Sequence, residues 1–140
     1  MILLFDFGGV LVDLDKARCI DSFARLGFDI RPYLGTYRQQ GPFSLLERGE
    51  IDVPQFCSEL RRLGCRPGTT DSEIVRAWED YLTEVPAERL DMLFKIRRHY
   101  PVSCLSNTNC IHWGQAERDF FNYRGRQVGD FFDHVFLSYE

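Results

Sequence analysis

Lysine is nearly missing from this chain of 140 residues: only Lys16 and Lys95 stand beside 15 arginines. The 17 basic residues are outnumbered by 21 acidic ones, for a formal charge of −4, and no cationic block forms anywhere. The electrostatic footprint of a nucleic-acid binder is absent, so nucleic acid is not an expected partner. A net negative charge does not exclude phosphate ligands, because local donors decide that. No apolar run approaches the roughly 20 residues of a membrane-spanning helix, and no membrane partner is expected. The opening Met1-Ile2-Leu3-Leu4-Phe5 lacks a basic leader, a long apolar stretch and a small-residue cleavage site. A cytoplasmic setting is therefore the expectation. The five cysteines are odd in number and include no C-x-x-C pair, which argues for reduced thiols. A zinc site built on Cys104, Cys110 and His112 would lack the usual ligand spacing. No repeat or low-complexity tract occurs. Apolar residues, by contrast, are plentiful at 44%, enough for one packed domain or a small domain with an insertion.

Residues 2–7 form an apolar run broken only by Asp6, the pattern of a strand buried on both faces of a parallel sheet. Gly8-Gly9 stops it, and Val10-Leu11-Val12 reads as a short extended flap. From Asp15 the period changes to three and four through Ala17, Ile20, Phe23 and Ala24, a helix that Gly27 ends. A loop containing Pro32, Gly35, Gly41 and Pro42 follows. A second helix starts at Asp52 and Pro54 and stops at Gly64. Thr70 and Glu73 form a capping box for a third, with Ile74, Ala77, Trp78 and Tyr81 as its core stripe. Pro86 opens a fourth helix, which ends before Pro101. Residues 102–106 are a second strand, 111–121 a helix, and 134–138 a third strand. Strands alternating with helices imply a parallel α/β sheet with right-handed crossovers. The roughly 75 residues between the first two strands exceed what a crossover needs and read as an inserted helical cap.

Ligands of open α/β sheets lie beyond the carboxyl ends of the strands. Asp6 falls at one such end and Ser106-Asn107-Thr108-Asn109 at another. A carboxylate inside an apolar run is costly unless a metal ion or backbone N–H groups compensate it, and Gly8-Gly9 would let amides turn toward a ligand. These parts suit carboxylate attack on phosphorus. Separately, Asp6 is also readable as a turn cap, and Ser106 or Asn107 as the cap of the following helix. His112 and Trp113 are expected to pack, His99 and His134 to be structural, and Glu47 and Arg48 to sit in a solvated turn.

Phe5-Asp6-Phe7-Gly8-Gly9-Val10-Leu11 resembles the first motif of the haloacid-dehalogenase superfamily, and Leu105-Ser106-Asn107-Thr108-Asn109 its second. Glu47-Arg48-Gly49-Glu50-Ile51 and Leu137-Ser138 are similar to the branch that contains bacterial glucose-1-phosphatase. The resemblance spans nearly the whole chain. It implies an incomplete three-layer, Rossmann-like α/β core, formed by residues 1–13 and 91–140, with an α-helical cap at 14–90. It implies a hydrolase that cleaves small phosphorylated metabolites, sugar phosphates above all, through an aspartyl-phosphate. Asp6 would be the nucleophile and a Mg²⁺ ligand, the Gly8 carbonyl a second ligand, and Ser106 and Asn107 the phosphate-binding residues. The metal would neutralise and orient the phosphoryl group, and the cap would close over the site.

Two departures qualify the resemblance. The acid that most such phosphatases carry two residues after the nucleophile is Gly8 here, as in the glucose-1-phosphatase branch. The lysine and acidic metal ligands of the later motifs have no counterpart, since no lysine follows Ser106. The expectation is a truncated chain whose first strand has become an exposed apolar edge, open to pairing with a second copy as a homodimer. A 2-haloacid dehalogenase that needs no metal, and an inert phosphate-binding module, remain alternatives. A receiver domain fits worse, because no aspartate follows the third strand.

Overall fold

Side-chain caps begin three of the helices that the sequence marks. Asp15 accepts from Arg18 N–H and opens α1 (Lys16–Arg25). Asp52 accepts from Gln55 N–H while the Gln55 side chain returns to Asp52 N–H, a reciprocal box that opens α3 (Val53–Leu63). Thr70 accepts from Glu73 N–H and opens α4 (Asp71–Glu79). Each satisfies a backbone donor that the first helical turn leaves without a partner. The computed structural model describes residues 1–36 and 38–140. Ahead of these, β1 is Leu3–Phe5, and α2, Pro42–Glu47, lies where the sequence reads as loop. Beyond them come α5 (Ala87–Arg97), β2 (Val102–Ser106), α6 (Cys110–Gln115), α7 (Val128–Phe131) and β3 (His134–Leu137). The expected helix at 111–121 is realised as α6 followed by a π-helical turn, Ala116–Phe120. Among the described residues no helix is long and apolar enough to cross a membrane.

The sheet is wholly parallel in the order β1-β2-β3, with Phe5 opposite Cys104 and Cys104 opposite Val135. Because successive side chains alternate, this register puts Leu3, Phe5, Val102, Cys104, Val135 and Leu137 on one face. All six pack with Phe7, Leu93, Trp113 and Phe121 in one hydrophobic cluster. The opposite face carries Leu4, Leu105 and Phe136, each more than half exposed. The expectation that β1 is buried on both faces therefore fails. Among the described residues β1 pairs only with β2, and Ile2 and Leu4 lie open at the sheet margin. The expected flap is instead a tight fold-back. Leu11 and Val12 donate to the Phe7 carbonyl, at 2.9 and 3.0 Å, and bury their side chains. Gly9, at φ 75°, permits that turn.

A second cluster joins α1, α2, α3 and α4 around Phe43, whose ring meets Trp78 at 4.8 Å, Phe56 at 5.0 Å and Phe23 at 5.9 Å. His112 lies between the clusters, stacked on Tyr81 and against Trp78. Its Nε2–H donates to the Trp78 carbonyl at 2.8 Å, and Nδ1 faces the Asn109 amide at 3.3 Å. No ring nitrogen is left for a metal, and among the described residues no group of three metal-ligating side chains forms. The zinc reading with Cys104 and Cys110 is thus excluded by hydrogen bonding. His112 and Trp113 both pack, as expected, whereas His99 and His134 lie exposed.

Two outcomes follow. Phe43→Ala should cost about 3–5 kcal/mol through the cavity it leaves, read as a lower urea midpoint; a loss under about 1 kcal/mol would contradict the central place given to that ring. Burial pushes the His112 imidazole down to about 4, partly offset by its bond to Trp78. An unfolded histidine binds a proton near pH 6.5, so the unfolded state takes up that proton first as pH falls. Stability should drop progressively from pH 6.5 to 4 by about 3 kcal/mol, and His112→Gln should flatten that limb of the stability profile.

Candidate active site

Parallel pairing delivers the carboxyl ends of all three strands to one side of the sheet. Asp6 follows β1, Ser106 ends β2, and Ser138 follows β3. Asp6, Ser106 and Asn107 line a common cleft of about 780 Å³, and the same three residues line an adjoining hollow of about 300 Å³. The residues singled out in the sequence are therefore brought together. Gly8 borders the smaller hollow, and a side chain there would meet nothing within 4 Å.

The environment of Asp6 differs from expectation. It lies just beyond the strand and is exposed, not embedded in apolar surroundings. Phe7 N–H donates to its Oδ1 at 2.7 Å, which fixes the carboxylate at the mouth of the cleft. No burial penalty has to be offset there, and what sets Asp6 apart is its place at the strand exit and not desolvation. Ser106 is buried at 5% exposure and Asn107 is exposed. The helix-cap alternative for both is removed by Asn109, which caps α6 by accepting from His112 N–H at 2.9 Å. Ser106 and Asn107 are left facing the cleft.

Glu47 was expected in a solvated turn. It is instead the last residue of α2 and is 8% exposed. It lines both hollows beside Asp6 and Ser106. Burial pushes its carboxyl up to about 7, against a smaller opposing pull from Arg38. The end of α2 is docked onto the sheet by Ser138, whose hydroxyl contacts the carbonyls of Glu47 at 2.8 Å and Thr108 at 2.9 Å. The same hydroxyl accepts from Thr108 N–H at 3.0 Å. Gly49, at φ 69°, lies so close that a Cβ would run into the Tyr139 carbonyl. The sequence signal for this contact was present in the Glu47–Ile51 and Leu137–Ser138 segments, but only the fold joins them. Arg38 and Arg48 supply the cations of the larger cleft; no lysine lines it. Arg48 is paired with Glu50 at 3.4 Å on the exposed rim.

The site thus offers an exposed carboxylate, hydroxyl and amide groups, two guanidinium groups and a second carboxyl group that holds its proton to near neutral pH. The hard oxygen donors near Asp6 suit Mg²⁺, which is commonly held by one or two carboxylates, water and substrate phosphate.

No protein-family model matches the chain. A D-ribitol-5-phosphate phosphatase of Bacteroides thetaiotaomicron is 35% identical over 139 residues, 99% of this chain and 67% of its own length. A HAD-family enzyme from the same organism, in complex with magnesium and inorganic phosphate, superposes with a TM-score of 0.91 at 38% identity. That match covers 99% of this chain and 68% of the other. A HAD-like family hydrolase from Porphyromonas gingivalis gives a TM-score of 0.87 at 32% identity, over 99% and 66%. The chain spans about two thirds of the length of these relatives. Sequence identity along almost its entire length, together with the shared parallel sheet, makes this chain a member of the haloacid-dehalogenase-like family of hydrolases.

Proposed function

We propose that this hydrolase is a phosphatase of small phosphorylated metabolites, with polyol and sugar phosphates as its substrate class. The observation that carries the reading is the convergence of Asp6, Ser106 and Asn107 on one cleft at the carboxyl ends of β1 and β2. The substrate class is supported by the D-ribitol-5-phosphate phosphatase relative. Asp6 would attack phosphorus and form an aspartyl-phosphate that water then hydrolyses. Ser106 and Asn107 would donate hydrogen bonds to the phosphoryl oxygens, and Arg38 and Arg48 would draw the dianion into the cleft. Asp6 and the Gly8 carbonyl would hold Mg²⁺, a choice of metal supported by similar structures solved in complex with magnesium; when bound, it neutralises charge on the transferring group. Residues 14–90 are read as the cap that selects substrate, with α2 as the part that reaches the site.

An inert phosphate-binding module is the second reading. It is favoured by the lack of lysine in the cleft and of any three-ligand acidic cluster among the described residues. The two readings part on turnover. Asp6→Asn keeps the oxygen that accepts from Phe7, so the fold should persist within about 0.5 kcal/mol while hydrolysis of p-nitrophenyl phosphate disappears. Residual turnover in that variant would refute the nucleophile. EDTA should silence the wild-type chain and added Mg²⁺ restore it; phosphate binding without any turnover would favour the inert module, and metal-independent turnover would remove the Mg²⁺ assignment.

A further inference from the structure

Gly8 leaves the site without a side chain at the position that follows Asp6 by two, and open space surrounds it. Cleaving an alkyl phosphate still requires a proton for the departing oxygen, which otherwise leaves as a strongly basic alkoxide. Few groups around the two hollows could give one. His112 has both ring nitrogens engaged with Trp78 and Asn109. Tyr81 has its hydroxyl pKa raised, chiefly by burial, and so gives up its proton less readily than an ordinary tyrosine. Arg38 and Arg48 do not deprotonate. Ser106 and Ser138 are hydroxyls of far too high pKa. What remains is the carboxyl group of Glu47, brought to the cleft from another part of the chain.

We propose that Glu47 is the general acid of the phosphatase reaction, contributed by α2 and taking over the task for which Gly8 has no side chain. The proposal rests on the phosphatase reading above. Three observations carry it: Glu47 lines both hollows with Asp6, its residue is almost wholly buried, and its main chain is pinned to the sheet by Ser138. A pinned helix end restricts where the side chain can reach, which is what proton transfer to a fixed position needs. Among the described residues no hydrogen bond joins Glu47 to Asp6. The carboxyl also stays protonated to near neutral pH because burial disfavours its charge, with only Arg38 opposing.

In the step, an Asp6 oxygen forms a bond to phosphorus as the bond from phosphorus to the substrate oxygen breaks. The electron pair goes to that oxygen, which takes the Glu47 proton and leaves as the alcohol. Glu47 is then a carboxylate. It accepts a proton from the water that attacks the aspartyl-phosphate, phosphate departs, and both carboxyl groups return to their starting states.

The test compares Glu47→Gln with wild type at saturating Mg²⁺ on two esters. One is the best alkyl substrate from a panel of polyol and sugar phosphates; the other is p-nitrophenyl phosphate, whose phenolate leaves without a proton. Because kcat/KM reads only the steps through alcohol release, it isolates the acid. The expected loss is about 10²–10⁴-fold on the alkyl ester and within about threefold on the aryl ester. The fall of wild-type alkyl kcat/KM above about pH 7 should vanish in the variant. Equal losses on both esters would overturn the role of Glu47 alone, as would a wild type that cleaves only the aryl ester. A wild type that cleaves neither would overturn the phosphatase reading and this one with it. Should the variant fail to fold, substituted phenyl phosphates on the wild type decide: weak dependence on leaving-group basicity supports the acid, and steep dependence overturns it.

Discussion

Parallel registry of three short strands is the constraint on which everything else depends. It is a modest structure, of three, five and four residues, yet its direction sends every strand exit to the same side. Asp6, Ser106 and Ser138 share a neighbourhood only because of it. A strand running the other way would carry its polar exit to the far end of the sheet. The packing of one face against Trp113, Phe121 and Leu93 holds that registry, since a slip by one residue would turn the apolar row outward.

The helical part is anchored to this frame by small groups. The Ser138 hydroxyl and the missing side chain of Gly49 let α2 sit directly against the exit of β3. Glu47 thereby becomes a wall of the site although it lies 41 positions beyond Asp6 in the chain. The helical cluster around Phe43 and Trp78 backs α2 from the other side, so the position of one carboxyl group rests on a large hydrophobic assembly. Rigid support of this kind is what a group acting at a fixed distance requires.

Much of this was legible in the residues. Asp15, Asp52 and Thr70 announce helices because a side-chain oxygen three residues ahead of a free N–H is a local device, independent of the rest of the fold. The β2 boundaries are also local, bracketed by Pro101 and the polar run after Ser106. What escaped was non-local. Pro42–Glu47 reads as loop because six residues carry little periodicity, and Phe43 and Leu46 become helical mainly by burial against α3 and α4. The apolar run at β1 misled about burial, since composition cannot say whether both faces of a strand are covered. Asp6 and Ser106 were recognisable by type and spacing. Glu47 belongs to a recognisable segment yet reads as solvated, because nothing in its neighbours reveals Ser138 behind it.

The five thiols carry a separate consequence. Cys19, Cys57 and Cys65 lie in the helical cluster, Cys104 lies under the sheet, and Cys110 is half-buried at the start of α6. Burial pushes Cys19, Cys57 and Cys104 up to about 12, so almost none is present as reactive thiolate while the chain is folded. Alkylation would then require opening, and each modified sulfur would name the region that opened. The native chain thus contains its own set of footprinting reporters, able to tell whether helices or sheet loosen first.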